Sequence, residues 1–507
     1  MKKLPARLLL VVAVLCGLVA AAVALLSLPW VKMPALTPPR VEAKAGDGDG
    51  FLAGAGVAPI ELPADAPIGG FGRWSYTAQG VRDPVTARAV VLTSPGHLRI
   101  GLVSAEILLV PEALEAAVQA RVRGLALDGL IVAATHTHAS PGGYWENLAG
   151  ERIALGPYRA ELRDRIANAM AQALRKAAAE EGPAALSVGR AEGVALSRNR
   201  DGGEVDQRLT VVRLTRPDGA PVAELALFAA HPTTLGKRNR QISGDWPGRF
   251  LAGEGQGVRL FFQGSLGDQS VQLPPGQPPA TPESYAAALE AAVAQLAFSP
   301  PDAEPELGYA RATENLPLPA PAAVPALARR AATTVAAPLM PTDAEVSALR
   351  LGPVLLLAVP AEPTAAVGAA WRAAAGPGAE VLSLADGYVG YVETAERVRE
   401  GEGEAHRQYF GPELAERLQE AVALASRTVN GAVAQAEAER RVERQQRAAA
   451  EARAREAATA QAAAAAAQAK PAAGAKPAQR GAAGGKAKPA PARKPGSKGG
   501  AAASRPR

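Results

Sequence analysis

Two histidines, His136 and His138, follow an apolar run and precede a glycine-rich loop. The run at residues 130–134 is typical of a short buried strand, and Ser-Pro-Gly-Gly at residues 140–143 breaks the chain after it. Side chains two apart on a strand point to the same face, so both imidazoles should reach one pocket. Imidazole is a common zinc ligand, and the pattern predicts half of a metal site. The alternative is a buried histidine beside a surface one, because short motifs also arise by chance.

Metal ligands elsewhere in the chain are few. Cys16 is the only cysteine among 507 residues, which excludes an intrachain disulfide and a cysteine-based metal site. Of the five histidines, His97 and His406 lie in polar stretches without an evident partner. A metal ion would therefore have to be held by histidine, carboxylate or tyrosine side chains, with few histidines to choose from.

Two further apolar runs end in polar, glycine-containing loops. One leads to His231 and then to Ser-Gly-Asp at residues 243–245, and the other leads to Asp268 and Ser270. A third run ends at Glu362, at the start of a predicted helix. Loops at strand ends gather at one edge of a sheet, where active sites usually form, so we expect these side chains to lie close together.

Short apolar runs alternate with amphipathic stretches from residue 51 onward. This alternation predicts an α/β fold, with a mixed β-sheet core flanked by helices, and leaves parallel and antiparallel pairing open. Strands are predicted over residues 86–93, 97–104, 130–135, 207–215, 222–229, 258–263, 344–350 and 353–359. Helices are predicted over residues 111–124, 157–181, 282–298, 363–375 and 412–428.

Residues 1–32 are predicted to form a signal anchor with a transmembrane helix. No charged residue lies between Arg7 and Lys32, and this apolar length suffices to cross a bilayer. Basic residues ahead of it direct the rest of the chain to the periplasmic or extracellular side. Cleavage of the segment, or less favourably lipidation of Cys16, is the alternative. Residues 33–50, rich in Pro, Gly and Asp, are predicted to be a linker.

The C-terminal part differs in composition from the body of the chain. Residues 431–469 combine high helix propensity with no apolar stripe, which predicts an exposed Ala/Arg/Glu-rich helix. Residues 470–507 hold ten Lys or Arg and no Asp or Glu, and we expect them to be disordered. Because the body should be exported, this basic tail should bind anionic lipid headgroups or envelope polymers rather than nucleic acid.

The ordered motifs of the body resemble those of the neutral/alkaline non-lysosomal ceramidases. The resemblance is carried, in the family's order, by GAGVAPI at 54–60, THTHASPGG at 135–143, FAAHPTTL at 228–235, ISGD at 242–245, QGSLGDQSVQ at 263–272, Ala361-Glu362-Pro363-Thr364, Tyr388 with Tyr391-Val392 and Thr394, and Phe410-Gly411-Pro412. Several motifs in one order are far more specific than any single one.

The resemblance implies a catalytic domain over residues 51–430 that hydrolyses the amide bond of ceramide or a related N-acyl lipid and releases a fatty acid. It implies one Zn²⁺ ion, with four ligands at the matching positions: His136, His231, Glu362 and Tyr388. It implies catalytic roles for three more residues, with His138 as proton shuttle, Arg200 as the group that holds the developing oxyanion or a substrate hydroxyl, and Ser270 as nucleophile or substrate-orienting group.

The departures from the family motifs concern the wall of the pocket. Pro232 replaces a glycine, Trp246-Pro247 replaces Asn-Lys, and Val398 lies near the position of a family tyrosine. These changes leave the metal ligands intact. The motifs therefore predict the type of reaction more firmly than they predict the substrate. Two other functions are therefore kept: a zinc amidase or esterase acting on another envelope amphiphile, and a zinc-retaining binding protein without turnover.

Overall fold

The computed structural model describes residues 6–27, 38–46, 50–72, 76–94, 98–253, 257–320 and 329–468. The chain divides into two units, Met1–Glu443 and Arg444–Arg507. The α-helices of the described residues are α1 (Ala6–Ser27), α2 (Glu112–Val122), α3 (Leu148–Gly150), α4 (Ala160–Ala179), α5 (Asp245–Leu251), α6 (Pro282–Ala294), α7 (Arg329–Ala336), α8 (Ala365–Ala375), α9 (Ala395–Glu400) and α10 (Leu414–Gln468).

The strands are β1 (Arg40–Ala45), β2 (Leu52–Pro59), β3 (Thr86–Ser94), β4 (Leu98–Ala105), β5 (Gly129–Ala134), β6 (Gly182–Pro183), β7 (Ala185–Ala191), β8 (Ser197–Asn199), β9 (Leu209–Thr215), β10 (Pro221–Phe228), β11 (Val258–Gln263), β12 (Gln269–Val271), β13 (Leu307–Asn315), β14 (Asp343–Leu351), β15 (Val354–Ala358), β16 (Glu362–Pro363), β17 (Ala379–Leu382) and β18 (Tyr391–Val392).

Three larger sheets organise the first unit. The first sheet has the order β5-β4-β3-β2-β6, the second β11-β10-β9-β7, and the third β1-β13-β14-β15-β17. Each sheet combines antiparallel pairs with one parallel pair, namely β4 with β5, β10 with β11, and β15 with β17. The α/β prediction is confirmed, and each sheet is mixed.

The three sheets share a buried apolar cluster on their inner faces. Its members come from all three sheets and include Val90, Leu102, Ile131, Leu225, Leu260, Leu349 and Leu356. Helices cover the outer faces: α2 and α4 on the first sheet, α5 and α6 on the second, and α8 with the first part of α10 on the third. Strands buried on both faces explain why their sequences read as unbroken apolar runs.

Every strand and helix predicted above has a counterpart in the structure, with shifts of a few residues at the ends. The linker prediction for residues 33–50 is wrong over Arg40–Ala45, which form β1 and pair antiparallel with β13. The side chains of β1 alternate between exposed and half-buried, as expected of a strand at the edge of a sheet. The Pro- and Gly-rich composition around this segment masked the short alternating pattern.

Helix α1 (Ala6–Ser27) lies within the segment predicted as a transmembrane anchor, residues 1–32. Among the residues whose structure is described, no helix is both long and apolar enough to cross a membrane. The anchor prediction for residues 1–32 is therefore not supported.

The predicted helix over residues 431–469 is part of α10, and the side chains of residues 441–465 are exposed. The first unit ends at Glu443, beyond the boundary predicted at residue 430. The predicted basic tail at residues 470–507 lies outside the described residues, as does His97.

Candidate metal centre

Three segments that leave three different sheets meet at one buried point. His136 follows β5 of the first sheet, His231 follows β10 of the second, and Glu362 follows β15 of the third. All three side chains are buried. The sequence predicted that these strand-end loops meet along one sheet edge, whereas the structure brings together the ends of strands from three sheets.

Glu362 lies between the two imidazoles. Its Oε2 is 3.2 Å from Nε2 of His136 and 3.2 Å from Nε2 of His231. The other ring nitrogens face backbone carbonyls, with Nδ1 of His136 2.7 Å from the Leu108 oxygen and Nδ1 of His231 2.9 Å from the Gln269 oxygen. A carbonyl only accepts, so each Nδ1 carries a proton and donates it. In the neutral rings each Nε2 therefore presents a lone pair to the carboxylate.

The charge states make this arrangement incomplete without a cation. Burial lowers the pKa of His231 to about 4, so its ring is neutral at pH 7. Glu362 Oε2 is buried and has no hydrogen-bond donor in the structure. With Nδ1 protonated and the ring neutral, Nε2 of His231 presents its lone pair to Glu362 Oε2 at 3.2 Å, and Nε2 of His136 lies at the same distance from that oxygen. This donor set fits a metal ion that accepts imidazole nitrogen and carboxylate oxygen, and Zn²⁺ is the usual one.

The backbone around His136 is held in an uncommon conformation. Its φ is 69°, in the left-handed region, directly after the last residues of β5. Hydrogen bonds from Thr135 N to Ala105 O and from His136 N to Ile107 O, each 3.0 Å, fix it there. Such strain persists only where the surrounding structure enforces it, and it concentrates at functional sites. The two histidines of the motif therefore meet through this turn, past the end of the strand, and the alternation of strand side chains was the wrong reason.

His138 lies at the side of this centre. Its Nε2 is 3.3 Å from Nε2 of His136, and its ring centroid is 5.7 Å from that of His231. One ring nitrogen from each of the three histidines can be chosen so that all lie within 4.8 Å of one another. Burial, and then the neighbouring imidazoles, hold the pKa of His138 well below its usual value. Glu362 contacts both His136 and His231, whereas, of these two histidines, His138 is within hydrogen-bond distance of His136 only. This difference favours Glu362 as the third ligand.

Two tyrosines from one motif contact different atoms of the centre. The Tyr388 hydroxyl donates to Glu362 Oε1 at 2.7 Å. The Tyr391 hydroxyl lies 3.1 Å from His231 Nε2, the nitrogen that faces the carboxylate. Burial raises the pKa of both hydroxyls well above the usual value. The family resemblance predicts Tyr388 as a metal ligand and no role for Tyr391, although the spacing Tyr-x-x-Tyr is compatible with either tyrosine.

The remaining predicted residues flank His231. The guanidinium of Arg200 lies 5.9 Å from the centroid of the Tyr391 ring and 3.0 Å from Oε1 of the buried Glu404. Ser270 belongs to β12, and its backbone forms a parallel bridge with that of His231. All seven predicted site residues therefore lie at or next to the centre, Arg200 through Tyr391 and Ser270 through the backbone of His231.

Aromatic side chains not assigned from the sequence complete the surroundings. The Phe71 ring packs against His138 with centroids 4.7 Å apart, and Trp145 packs edge-on against Tyr388 at 5.8 Å. Trp145 stands in the same stretch as the first histidines, but nothing in the sequence tied it to Tyr388. A cavity of about 330 Å³ opens beside this pair, with apolar and aromatic lining from Trp145, Leu148, Leu339, Met340, Tyr388 and Tyr409.

The fold and centre define a class: mixed α/β proteins whose sheet ends converge on a buried His, His, carboxylate and tyrosine set. Residues 51–251 match the sequence profile of neutral/alkaline non-lysosomal ceramidases, N-terminal domain. The chain is 28% identical over 268 residues to the neutral ceramidase of Mycobacterium tuberculosis, an alignment that covers 45% of this chain and 42% of that protein. It is 26% identical over 262 residues to neutral ceramidase A of Dictyostelium discoideum, covering 45% and 37%.

A crystal structure of neutral ceramidase from Pseudomonas aeruginosa has the same fold, with a TM-score of 0.63, 21% sequence identity, and coverage of 76% of this chain and 75% of that one. The match of residues 51–251, the curated relatives and the fold all agree with the neutral/alkaline non-lysosomal ceramidases, which confirms the resemblance inferred from the motifs of the chain. The profile ends at residue 251, before Glu362 and the tyrosines. The aligned region spans less than half the length of the curated relatives.

Proposed function

We propose that this protein is a zinc-dependent hydrolase that cleaves the amide bond of ceramide or a related N-acyl lipid and releases a fatty acid. The single observation that carries the proposal is Glu362 Oε2, buried without a donor and facing Nε2 of two histidines whose Nδ1 protons are already committed. The match of residues 51–251 to the ceramidase family model and the relatives named neutral ceramidases support the type of reaction.

The proposed ligands are His136, His231, Glu362 and one tyrosine oxygen. Of the two tyrosines, Tyr391 contacts the imidazole nitrogen that faces the carboxylate, whereas Tyr388 bonds the other carboxylate oxygen. We therefore propose Tyr391 as the oxygen ligand and Tyr388, the ligand predicted from the motif, as the residue that orients Glu362. A bound Zn²⁺ supplies a Lewis acid for the amide carbonyl and lowers the pKa of water.

The other residues act on protons, charge and substrate position. His138 has the position to move a proton, because its Nε2 lies 3.3 Å from that of His136 at the edge of the centre. Arg200 brings a positive charge to the side of Tyr391, where it can stabilise a developing oxyanion or bind a substrate hydroxyl. For Ser270 we favour substrate orientation over nucleophilic attack, since the metal centre already provides for activation of water.

The cavity beside Tyr388 is the proposed site for part of the lipid substrate. Trp145, Leu339 and Met340 give its apolar wall, the polar Glu112, Glu146 and Asn147 also line its space of about 330 Å³, and Tyr388 borders it. Binding sites for small molecules combine apolar lining with a few polar groups that fix orientation. An acyl chain seated there would contact Tyr388, whose hydroxyl bonds Glu362. Pro232 and Trp246 differ from the family motifs, so a zinc amidase or esterase that acts on another amphiphile is the second candidate function.

Export of the catalytic domain, and binding of residues 470–507 to anionic lipids or envelope polymers, stay proposals from the charge pattern of the sequence. They are independent of the proposed reaction. The domain is expected to act on a soluble short-chain substrate without either end of the chain.

The proposal is tested with the purified chain in two measurements. Metal analysis should find one zinc per chain, and fatty acid should be released from a panel containing short-chain ceramide, other N-acyl amines and acyl esters. Release from ceramide in preference to the others supports the proposal. Release from esters or other amides alone favours the second candidate. Bound zinc without any release indicates a binding protein, and a protein without zinc contradicts the metal centre.

A further inference from the structure

We propose that Gln263 is a positioning residue that holds the two histidine-bearing segments together at the distance the metal requires. Gln263 is the last residue of β11, and its side chain is fully buried. Its Nε2 donates to the Thr135 carbonyl at 3.0 Å and to the Ala230 carbonyl at 3.1 Å. These carbonyls belong to the residues directly before His136 and His231.

The rest of Gln263 is also committed. Oε1 accepts from Ala230 N at 3.3 Å, and the backbone carbonyl accepts from Ser383 N at 2.8 Å. Both amide protons are therefore used, one on each histidine segment, so the side chain cannot rotate without losing a bond. Ser383 follows β17 of the third sheet, which means that this one residue touches segments from all three sheets.

This link matters because the two ligand segments come from separate sheets. Strands β5 and β10 are not paired with each other. Gln263 connects the residues just before the two histidines, and beyond them one backbone hydrogen bond, from His138 N to Pro232 O at 3.2 Å, joins the same segments. The strained φ of His136 makes a restraint on this segment more important, since a strained turn relaxes when its restraints are removed. Residues that orient metal ligands typically change metal affinity by 10–100-fold when mutated. The inference rests on the proposed zinc site.

The chain contains a matched control. Gln408 is equally buried, its Nε2 donates to the carbonyls of Phe410 and Gly411, and its Oε1 accepts from Glu393 N. It has the same pattern of two donated bonds and one accepted bond, and none of its partners is next in sequence to a proposed histidine or glutamate ligand; Glu393 lies two residues beyond Tyr391. A merely structural role for Gln263 would make the two glutamines equivalent.

The experiment compares the wild type with Gln263→Met and Gln408→Met in the full chain. Methionine keeps the length of the side chain and removes every side-chain hydrogen bond. Zn²⁺ affinity is measured by competition with a chelator, and stability by urea unfolding of the metal-free proteins. We expect both variants to lose similar stability, and only Gln263→Met to bind Zn²⁺ about 10–100-fold more weakly.

If Gln263→Met binds Zn²⁺ as tightly as the wild type, the inference is overturned and the proposed function stands. The same conclusion follows if Gln263→Met and Gln408→Met lose Zn²⁺ affinity equally. A wild-type chain that binds no Zn²⁺ overturns the proposed metal site, and the role of Gln263 with it. Should Gln263→Met not fold, Gln263→Glu takes its place, because a carboxyl group keeps the shape and the acceptor and can donate to at most one of the two carbonyls. The same weakening of Zn²⁺ binding is expected there, and unchanged binding contradicts the proposal.

Discussion

Two clusters of titratable side chains, one buried and one partly buried, border Tyr388 and differ in how their carboxylates are paired. The proposed metal centre consists of His136, His231, Glu362 and Tyr391, and the hydroxyl of Tyr388 bonds the Glu362 carboxylate. The arginine cluster consists of Arg311 with Glu115, Glu345 and Asp386, and it lines a cavity of about 260 Å³ that Tyr388 also borders.

The carboxylate of Asp386 in the arginine cluster has a complete set of partners. Its Oδ1 accepts from Val132 N at 2.8 Å, and its Oδ2 accepts from Ser347 Oγ at 3.1 Å and lies 3.6 Å from the Arg311 guanidinium. Glu362 accepts from Tyr388 on Oε1, while its Oε2, 3.2 Å from Nε2 of His136 and of His231, has no hydrogen-bond donor. Burial of a carboxylate costs free energy unless it is paired. The contrast teaches that an unmet partner, and not burial of charge as such, marks the site that needs a cation.

The largest effect is expected from removing one imidazole of the metal centre. His136→Ala or His231→Ala should abolish zinc binding and fatty acid release together, with a loss well beyond the roughly 100-fold typical of an outer partner. His406→Ala, an exposed histidine whose Nδ1 faces the Gly403 carbonyl, is the control and should keep both. Zinc content and release are measured on the same preparations. Retention of zinc in either alanine variant would contradict the ligand assignment.

Removing the cation of the arginine cluster should cost stability and spare the metal. Arg311→Met leaves Asp386 and Glu115 buried without their counter-charge, for which we expect a loss of about 3 kcal/mol in the free energy of unfolding. Arg165→Met, on an exposed helical pair with Glu161, should change it by less than about 0.5 kcal/mol. Urea unfolding measures both. A folded Arg311→Met that has lost zinc would show that the two clusters are not separate.

His138→Ala distinguishes two possible sets of metal ligands: His136 and His231 with Glu362, or the three histidines. If Glu362 is the third ligand, this variant keeps zinc and loses about 100-fold in rate, as expected when a group that moves a proton is lost. If the three histidines hold the metal, the variant loses zinc as well. Zinc content, measured beside the rate of fatty acid release, decides between them.

Tyr391→Phe and Tyr388→Phe compare the two hydroxyls directly. Tyr391→Phe should weaken zinc binding by about 10-fold or more, because it removes the proposed oxygen ligand, whereas Tyr388→Phe removes an outer hydrogen bond and should have the smaller effect. Chelator competition gives both affinities. The reverse order would restore Tyr388 as the ligand predicted from the motif.

Much of the fold could be predicted from the sequence because its central strands are buried on both faces. Apolar runs such as those of β5, β10 and β15 leave little ambiguity, and the polar residues after them were found at the same time. β1 was missed because an edge strand with one half-buried face has a short, weak alternation. The assignment of the three ligand-bearing strands to three sheets depends on pairing between distant segments, which local patterns do not encode.

The site could be predicted as a set of residues more readily than as a geometry. The motifs brought His231 and Glu362 together, and the structure places them 3.2 Å apart. Which tyrosine faces which atom depends on the turn after β17, where Leu384 and Asp386 have φ of 59° and 56°. Positive φ in non-glycine residues is set by tertiary contacts, and the sequence carries no direct signal for it.

The smallest expected effect is a pH dependence of stability from the arginine cluster. Burial, and then the neighbouring Asp386, raise the pKa of Glu115 above its ordinary value of 4.5. The folded protein therefore binds this proton more tightly than the unfolded chain, so the stabilisation is complete below pH 4.5 and is lost as pH rises towards the folded-state pKa. We expect Glu115 to lower the free energy of unfolding of the metal-free protein by about 1 kcal/mol or more between pH 5 and pH 8, read as the difference between the wild type and Glu115→Gln. Glu115→Gln removes the titrating group and should flatten this slope, while Glu161→Gln, on the exposed face of α4, should leave it unchanged. Urea unfolding at several pH values measures the slope in all three proteins. An unchanged slope in Glu115→Gln would show that the arginine cluster neutralises its carboxylates fully, and the contrast with Glu362 would then rest on hydrogen bonding alone.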